Sequence, residues 1–448
     1  MPSIPFGLSS YERADGDFPP LPVVNMTAEQ SDTEGYALVS RPGLSDRAQN
    51  MGSGPVEALF QRDNVIGTAL FGISGGRMWR ETSDLGTVEG PGPWSMAGYK
   101  NYVFAAGGTK LYGYNGTSAK AVIAFPDDTN VLKVLVGGSR AVCITEDGQF
   151  YWSDPLETDI EALDFATAEN QPDRLLDALF IDDILMLFGA ETVEFWPNTQ
   201  SSDLPFQPLE GRVIEKGIRA TGCAAPINST FAWVTNYNEV CLGDENNVIS
   251  NEGLQARIAA SPTVRLFTFT MDGVQCLCLR LDGETQVWKS RTGTWHEFAS
   301  WDVDNWEPQC FAGGVFGSSV NGKTMTWSGD HVDLGGVLER RLRFGMPVNG
   351  GGVPVSNLQF RVNVGQTPYL AGDYSDPVLE MRLSRNAGQT WGDWRQRSLG
   401  TQGNYRQKVD YRALGMASRP GFYGEARCTD PVPIRISAVL INEEYGGR

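Results

Sequence analysis

Asp147-Gly148-Gln149-Phe150-Tyr151-Trp152 is a tight turn followed by a short strand that ends on an aromatic residue. Asp-Gly supplies the positive φ angles that a short hairpin turn requires, and the run behind it has the bulky side chains that strands favour. The same pattern recurs along the chain. Gly75-Gly76 precedes Trp79, Gly107-Gly108 precedes Leu111-Tyr112, Asp282-Gly283 precedes Val287-Trp288, and Asn321-Gly322 precedes Met325-Thr326-Trp327. With Trp196 and Val240, the landing points are Trp79, Tyr112, Trp152, Trp196, Val240, Trp288 and Trp327, separated by 33, 40, 44, 44, 48 and 39 residues. A period near 40 is one four-stranded meander, which cannot bury its faces alone and stacks on its neighbours. The expected fold is all-β, a β-propeller of six or seven blades; a large β-sandwich with regular hairpins is the alternative.

Three regions follow from this frame. Residues 1–50 are Pro-rich without a hydrophobic period and read as an extended N-terminal arm, of the kind that wraps a neighbour or supplies the strand closing a propeller ring. Residues 51–335 hold the repeats. After Leu334-Gly335-Gly336 the pattern changes to alternating strands, as in Gln359–Val364, Leu379–Ser384 and Ile434–Ile441, where Arg alternates with apolar residues. Residues 336–448 therefore read as a small C-terminal β-sandwich or barrel-like domain with one buried and one wet basic face. The Asn349-Gly350-Gly351-Gly352 loop and the Gly-poor 155–174 connection are places where a plug could form.

Gly at 52 residues and aromatics at 10% suit many turns and packed strands. No apolar run approaches the roughly 20 residues of a membrane helix, and Met1–Pro22 has neither the basic nor the apolar stretch of a secretory signal. Cysteines 143, 223, 241, 276, 278, 310 and 428 are odd in number and irregularly spaced, which predicts reduced thiols in a cytoplasmic setting. On that reading the sequons at Asn25, Asn115 and Asn228 are accidental. Charge is uneven: residues from 331 onward carry a net +4, and the first 330 carry −22. An acidic body repels nucleic-acid phosphate; it suits solubility, or a wall past which DNA slides without sticking.

The search for chemistry predicts no catalytic, cofactor-binding or metal-binding residues, and hence no enzyme. His296 and His331 have no second ligand at metal spacing. Cys276-x-Cys278 falls within a strand and points both sulfurs to one face, as core residues do. Gly72-Ile73-Ser74-Gly75 has the look of a nucleophile turn with the wrong spacing, and Asp182-Asp183 and Glu443-Glu444 read as solvated turn and tail residues. Ser384-Arg385-Asn386-Ala387-Gly388-Gln389-Thr390-Trp391 resembles the Asp-box hairpin, S-x-D-x-G-x-T-W, of sialidases and other propellers. There the acidic or amide side chain holds the turn while the Trp packs beneath. This motif sustains the alternative of a glycan-binding or sialidase-like glycan-hydrolysing propeller, which would also need a Tyr nucleophile, an acid and three converging arginines. Trp301-Asp302 occurs once and does not recur by blade, so a WD-repeat pattern is not supported.

An ordered series of landmarks completes the reading: Val24-Asn25-Met26, Gly35-Tyr36, Arg41-Pro42-Gly43, Ser95-Met96-Ala97, Ala168-Glu169-Asn170-Gln171-Pro172-Asp173, Phe188 to Trp196, Lys216-Gly217-Ile218, and Leu383-Ser384 through Gly388 to Gly392. By these the chain resembles the packaged-DNA-stabilisation proteins of short-tailed phages, also called tail accessory or nozzle proteins. It departs from them where the family's C-terminal Asp-Gly is Asn386-Ala387-Gly388. The resemblance implies a virion component made in the host bacterial cytoplasm. About six copies would form a homohexameric ring beneath the portal and its adaptor, and extend the channel for packaged double-stranded DNA without sequence-specific binding. They would close the filled head and seat fibres, spikes or a tail needle.

Overall fold

The computed structural model describes residues 3–4, 7, 9–10, 20–31, 35–117, 119–168, 173–201, 204–301, 303, 305–348, 352–419 and 421–442. Among them, seven four-stranded antiparallel meanders follow one another: blades 1 to 6 at 56–87, 95–123, 131–167, 175–214, 224–248 and 264–298, and blade 7 at 308–328 with one strand from elsewhere. The first strand of each blade packs on the first strand of the next. Pro308–Ala312 packs on Val56–Phe60 and closes the circle. The fold is a seven-bladed β-propeller.

All seven landing residues lie on the third strand of their blades, Trp79 on Arg77–Arg80 through Trp327 on Lys323–Ser328. The turns before them take the φ values their sequence dictates. Gly75 and Gly76 sit at 56° and 69°, so that Ser74 pairs with Arg77 across two residues. The core is divided into packets between neighbouring blades. Trp152 and Phe150 of blade 3, for instance, share one with Trp196 and Leu187 of blade 4, with the Phe150 and Trp196 rings edge-on at 5.1 Å. Each such buried aromatic or aliphatic side chain contributes about 1.5–3 kcal/mol.

Residues 23–50, within the segment expected to be an arm, are strand for most of their length. Gly43–Asn50 pairs with Lys323–Ser328 as the fourth strand of blade 7. Met26–Ser31 and Gly35–Ser40 form a hairpin at the edge of a sheet that continues through Arg435–Ile441, Val353–Val362 and Val409–Ala417. The alternation Met26, Ala28 on one strand and Ala37, Leu38 on the next supplies buried apolar residues that composition alone conceals.

The second sheet of this C-terminal sandwich does not begin there. Blade 6 runs from Val264–Met271 at the axis to Thr294–Phe298, then on through Val23–Val24, Arg340–Pro347, Gly421–Cys428, Val378–Ser384 and Arg395–Ser398. Propeller and sandwich thus share one nine-stranded sheet. The sandwich core, with Leu342, Phe344, Leu358, Phe360, Met381 and Tyr411, lies between the two sheets. The outer face of the nine-stranded sheet is not the wet basic face expected from alternation, because Trp391 and Trp394 lie over its arginines.

Candidate functional site

The first strands of the blades line a cavity of about 370 Å³ on the propeller axis. Its walls are mixed: Trp94, Leu135, Phe180 and Phe267 beside Glu57, Lys133 and Arg265. Lys133 pairs with Asp177, which is fully buried and accepts the Ala178 and Gly222 N–H groups, each at 2.8 Å. Burial pushes the Glu57 carboxyl up, opposed by the Arg265 charge. A space of this volume is the size of a small-molecule pocket. Duplex DNA, whose major groove alone is about 12 Å wide, does not pass through it.

The densest polar cluster lies on the sandwich. Glu425 is fully buried, and three arginines converge on it. Arg343 Nε donates to Oε1 at 2.8 Å, Arg382 Nε to Oε2 at 2.5 Å, and Arg341 stands at 3.9 Å. The register builds this cluster, since Arg343, Glu425 and Arg382 lie directly opposite one another on three adjacent strands. In the next ladder, Arg427 Nε donates to Glu380 at 2.6 Å and stacks on Trp394 at 4.1 Å. Arg382 lies between Trp391 and Trp394, at 5.1 and 4.5 Å. The Asp-box-like hairpin delivers these tryptophans. Asn386 Oδ1 accepts the Thr390 N–H at 2.9 Å, and Ser384 Oγ accepts the Gly388 N–H at 2.9 Å. The three arginines that a sialidase would turn toward a substrate carboxylate are here occupied by a carboxylate of the chain itself.

A third cluster joins the arm to both units. Arg41 is 1% exposed; its Nε donates to Asn25 Oδ1 at 2.8 Å, and Nη1 to Asp333 Oδ1 at 2.9 Å. Its guanidinium lies over Phe298 at 5.3 Å and Trp306 at 5.7 Å. Asn25 Nδ2 donates to the carbonyls of Ala299 and Glu339, and Asp333 accepts the Leu44 N–H. Sequence reading placed Asn25 and Arg41 among landmarks without a role and passed over Asp333 and Glu425. A polar triplet separated by some 300 residues has no periodicity to expose it.

The residues singled out for chemistry are scattered. Cys276 and Cys278 face the blade 6–7 packet, and burial pushes the Cys276 thiol up to about 12. All seven cysteines are buried thiols. His296 is buried, accepts the Ala28 N–H at Nε2 at 3.2 Å, and is pulled down to about 3 by burial, with Lys289 adding to the effect. His331, also drawn down by burial, lies near Arg340, whose charge acts in the same direction. Ser74 Oγ donates to the Gly54 carbonyl at 2.7 Å, in a hairpin rather than a nucleophile elbow. Asp182 and Asp183 form the turn between the first two strands of blade 4. Trp301 is 45% exposed, whereas Asp302, Glu443, Glu444 and residues 349–351 lie outside the described residues. Of the 155–174 connection, Ile160–Thr167 is the outer strand of blade 3, and 169–172 lie outside the described residues.

The landmark residues are joints. Asp173 accepts the N–H groups of Ala190, Glu191 and Thr192 at 2.8–2.9 Å and clasps the turn after Phe188. Ile218 N–H donates to the Gly189 carbonyl at 2.9 Å, and a Cβ on Gly217 would stand 2.0 Å from the Ala190 oxygen. Ser95 Oγ accepts the Val134 N–H at 2.9 Å and ties blade 2 to blade 3.

Comparison with known proteins agrees with this pattern. The chain is 26% identical over 238 residues to the tail hub protein gp10 of Salmonella phage P22, a match covering 49% of each chain, so it spans about half the length of that curated relative. Among solved structures, similarity is found to the WD40 β-propeller domain of Doa1 (14% identity, 64% of this chain and 98% of that one, TM-score 0.41). YCF48 from Cyanidioschyzon merolae is also similar (11% identity, 64% and 98%, TM-score 0.42). The family described as "Bacteriophage P22 Gp10, beta-propeller" matches residues 2–303, from the N-terminal strands through the sixth blade. The chain belongs to that bacteriophage P22 Gp10 β-propeller family.

Proposed function

We propose that this chain is a structural, non-enzymatic component of a phage tail. Copies of it form a closed ring, a homohexamer, below the portal–adaptor complex. The ring extends and closes the DNA channel, retains the packaged genome, and offers a seat for fibres, spikes or a needle. Family membership is the observation that carries this reading. Two features of the chain support it. The propeller axis is filled to small-molecule dimensions, so any passage for DNA lies between copies rather than through one. The converging arginines hold Glu425, which leaves a glycan hydrolase without its carboxylate site. The acidic body, at −22 over the first 330 residues, suits a wall that DNA slides past.

The test is DNA retention in particles assembled without this chain, scored as nuclease-resistant genome. Filled heads that leak support closure of the channel. Heads that keep their DNA but fail to adsorb move the role to fibre docking. Complete particles that never contain the chain overturn the reading.

A further inference from the structure

Blades 3 and 4 carry the densest acidity of the chain. Residues 141–211 hold sixteen Asp and Glu and one basic residue, Arg174, which pairs with Glu146. Ile160–Thr167 is the last strand of its sheet and pairs only with Gln149–Ser153. Leu163 on it is 87% exposed, and Phe165 two residues on is 38% exposed. Phe165, Trp196, Leu204 and Pro208 line a groove of about 360 Å³ beside this strand, flanked along the chain by exposed Glu157, Glu161 and Glu210. An apolar strip rimmed by one sign of charge marks a protein contact surface.

The complementary surface is at the opposite end of the molecule. Of the fifteen basic residues after 330, fourteen are arginines. Exposed Arg395 and Arg397 stand on the edge strand of the nine-stranded sheet, and exposed Arg412 and Lys408 on or beside the facing edge strand, Val409–Ala417. Arg395 and Arg397 donate to the carbonyls of Arg412 and Asp410, which binds the two edges into one basic rim. Tyr405 and Met416, 66% and 49% exposed, add apolar surface there. The nine-stranded sheet starts at the propeller axis, and at about 4.8 Å per strand its tip stands roughly 40 Å out. Blade 6, which carries that sheet, is three blades from blade 3 and two from blade 4 around a ring of seven, on the far side of the axis. The two surfaces point away from each other and cannot meet within one chain.

We propose that the acidic, apolar strip of blades 3 and 4 is the seat for the arginine-rich sandwich edge of a second copy of this chain. The contact joins two different patches head to tail, and such a contact closes into a ring when its rotation permits. The inference rests on the ring reading above and names the surface that would build it.

Surface cysteines test it without removing native ones, because all seven of those are buried. Full chains carrying Leu163→Cys are mixed with full chains carrying Met416→Cys or Tyr405→Cys and treated with a short bis-maleimide, both in solution and in assembled tails. Expected is a cross-linked dimer in the mixtures, weakened by high salt. Expected also is an approximately tenfold higher concentration for half-association in Leu163→Asp and in Glu161→Lys with Asp164→Lys. Leu163 is too exposed for its replacement to disturb folding. Self-association without these cross-links, and indifferent to Leu163→Asp, overturns the surface and leaves the ring standing. Absence of self-association in solution and in tails overturns both.

Discussion

Three buried ionisable side chains show what single residues hold together here. Arg41 reaches Asn25 from one unit and Asp333 from the other while lying on two aromatic rings. Arg41→Met would leave Asp333 buried without its partner, so about 3–5 kcal/mol of stability is expected to be lost. Denaturant midpoints read the loss, and hydrogen exchange should place the opening at 43–50. Glu425→Gln removes the negative charge on which Arg343 and Arg382 converge, and a loss of similar size is expected there; a loss under about 1 kcal/mol would show that the arginines re-pair. His296 acts as a neutral acceptor for Ala28. Its folded value, drawn down to about 3, lies below the ordinary 6.5, so the unfolded chain binds the extra proton between the two. This contribution is complete above about pH 6.5 and is lost as pH falls toward 3. Between pH 7 and 5 the wild-type chain should lose about 2 kcal/mol more than His296→Gln, as chemical denaturation at the two values would show.

At the scale of elements, the closure of blade 7 depends on Gly43–Asn50. Deleting residues up to 50 is expected to leave Lys323–Ser328 as an open edge strand, read as fast amide exchange over 308–328 and a tendency to associate through that edge. Unchanged protection of 308–328 would mean that three strands suffice. The third strands were legible in the sequence because turn chemistry is local: Gly75-Gly76 and Asp147-Gly148 declare their hairpins within six residues. The turn function of the landmark Asp173 was not legible, since the three N–H groups it clasps lie 17 to 19 residues on. The strand character of 23–50 was concealed because half of each pairing partner lies near the other end of the chain. The arginine alternation at Leu379–Ser384 was correctly a two-faced strand. Only the tertiary fold could show that Trp391 and Trp394 would cover its outer side.

For the whole molecule, the continuity of blade 6 with the sandwich argues against two independent folding units. Calorimetry is expected to give one transition with agreement between calorimetric and van't Hoff enthalpies; two separated peaks would show that the nine-stranded sheet breaks at Val23–Val24. The distribution of charge is likewise a property of the whole, with an acidic half-ring at blades 3 and 4 and an arginine rim at the far tip. A net charge of −18 conceals both.

The pairing of Gly43–Asn50 with Lys323–Ser328 also sets a timetable for synthesis. More than 270 residues separate the two strands. At roughly 5–20 residues per second, the first waits about 15 to 55 s on the ribosome before its partner exists. The hairpin at 26–40 waits longer still, until Arg435–Ile441 has been made. Six blades can stack as they emerge, but the circle is sealed only near the end of translation. A nonsense mutation anywhere before 323 therefore yields an open stack of sheets with a sticky leading strand, a product for chaperones and proteases rather than a shortened working part.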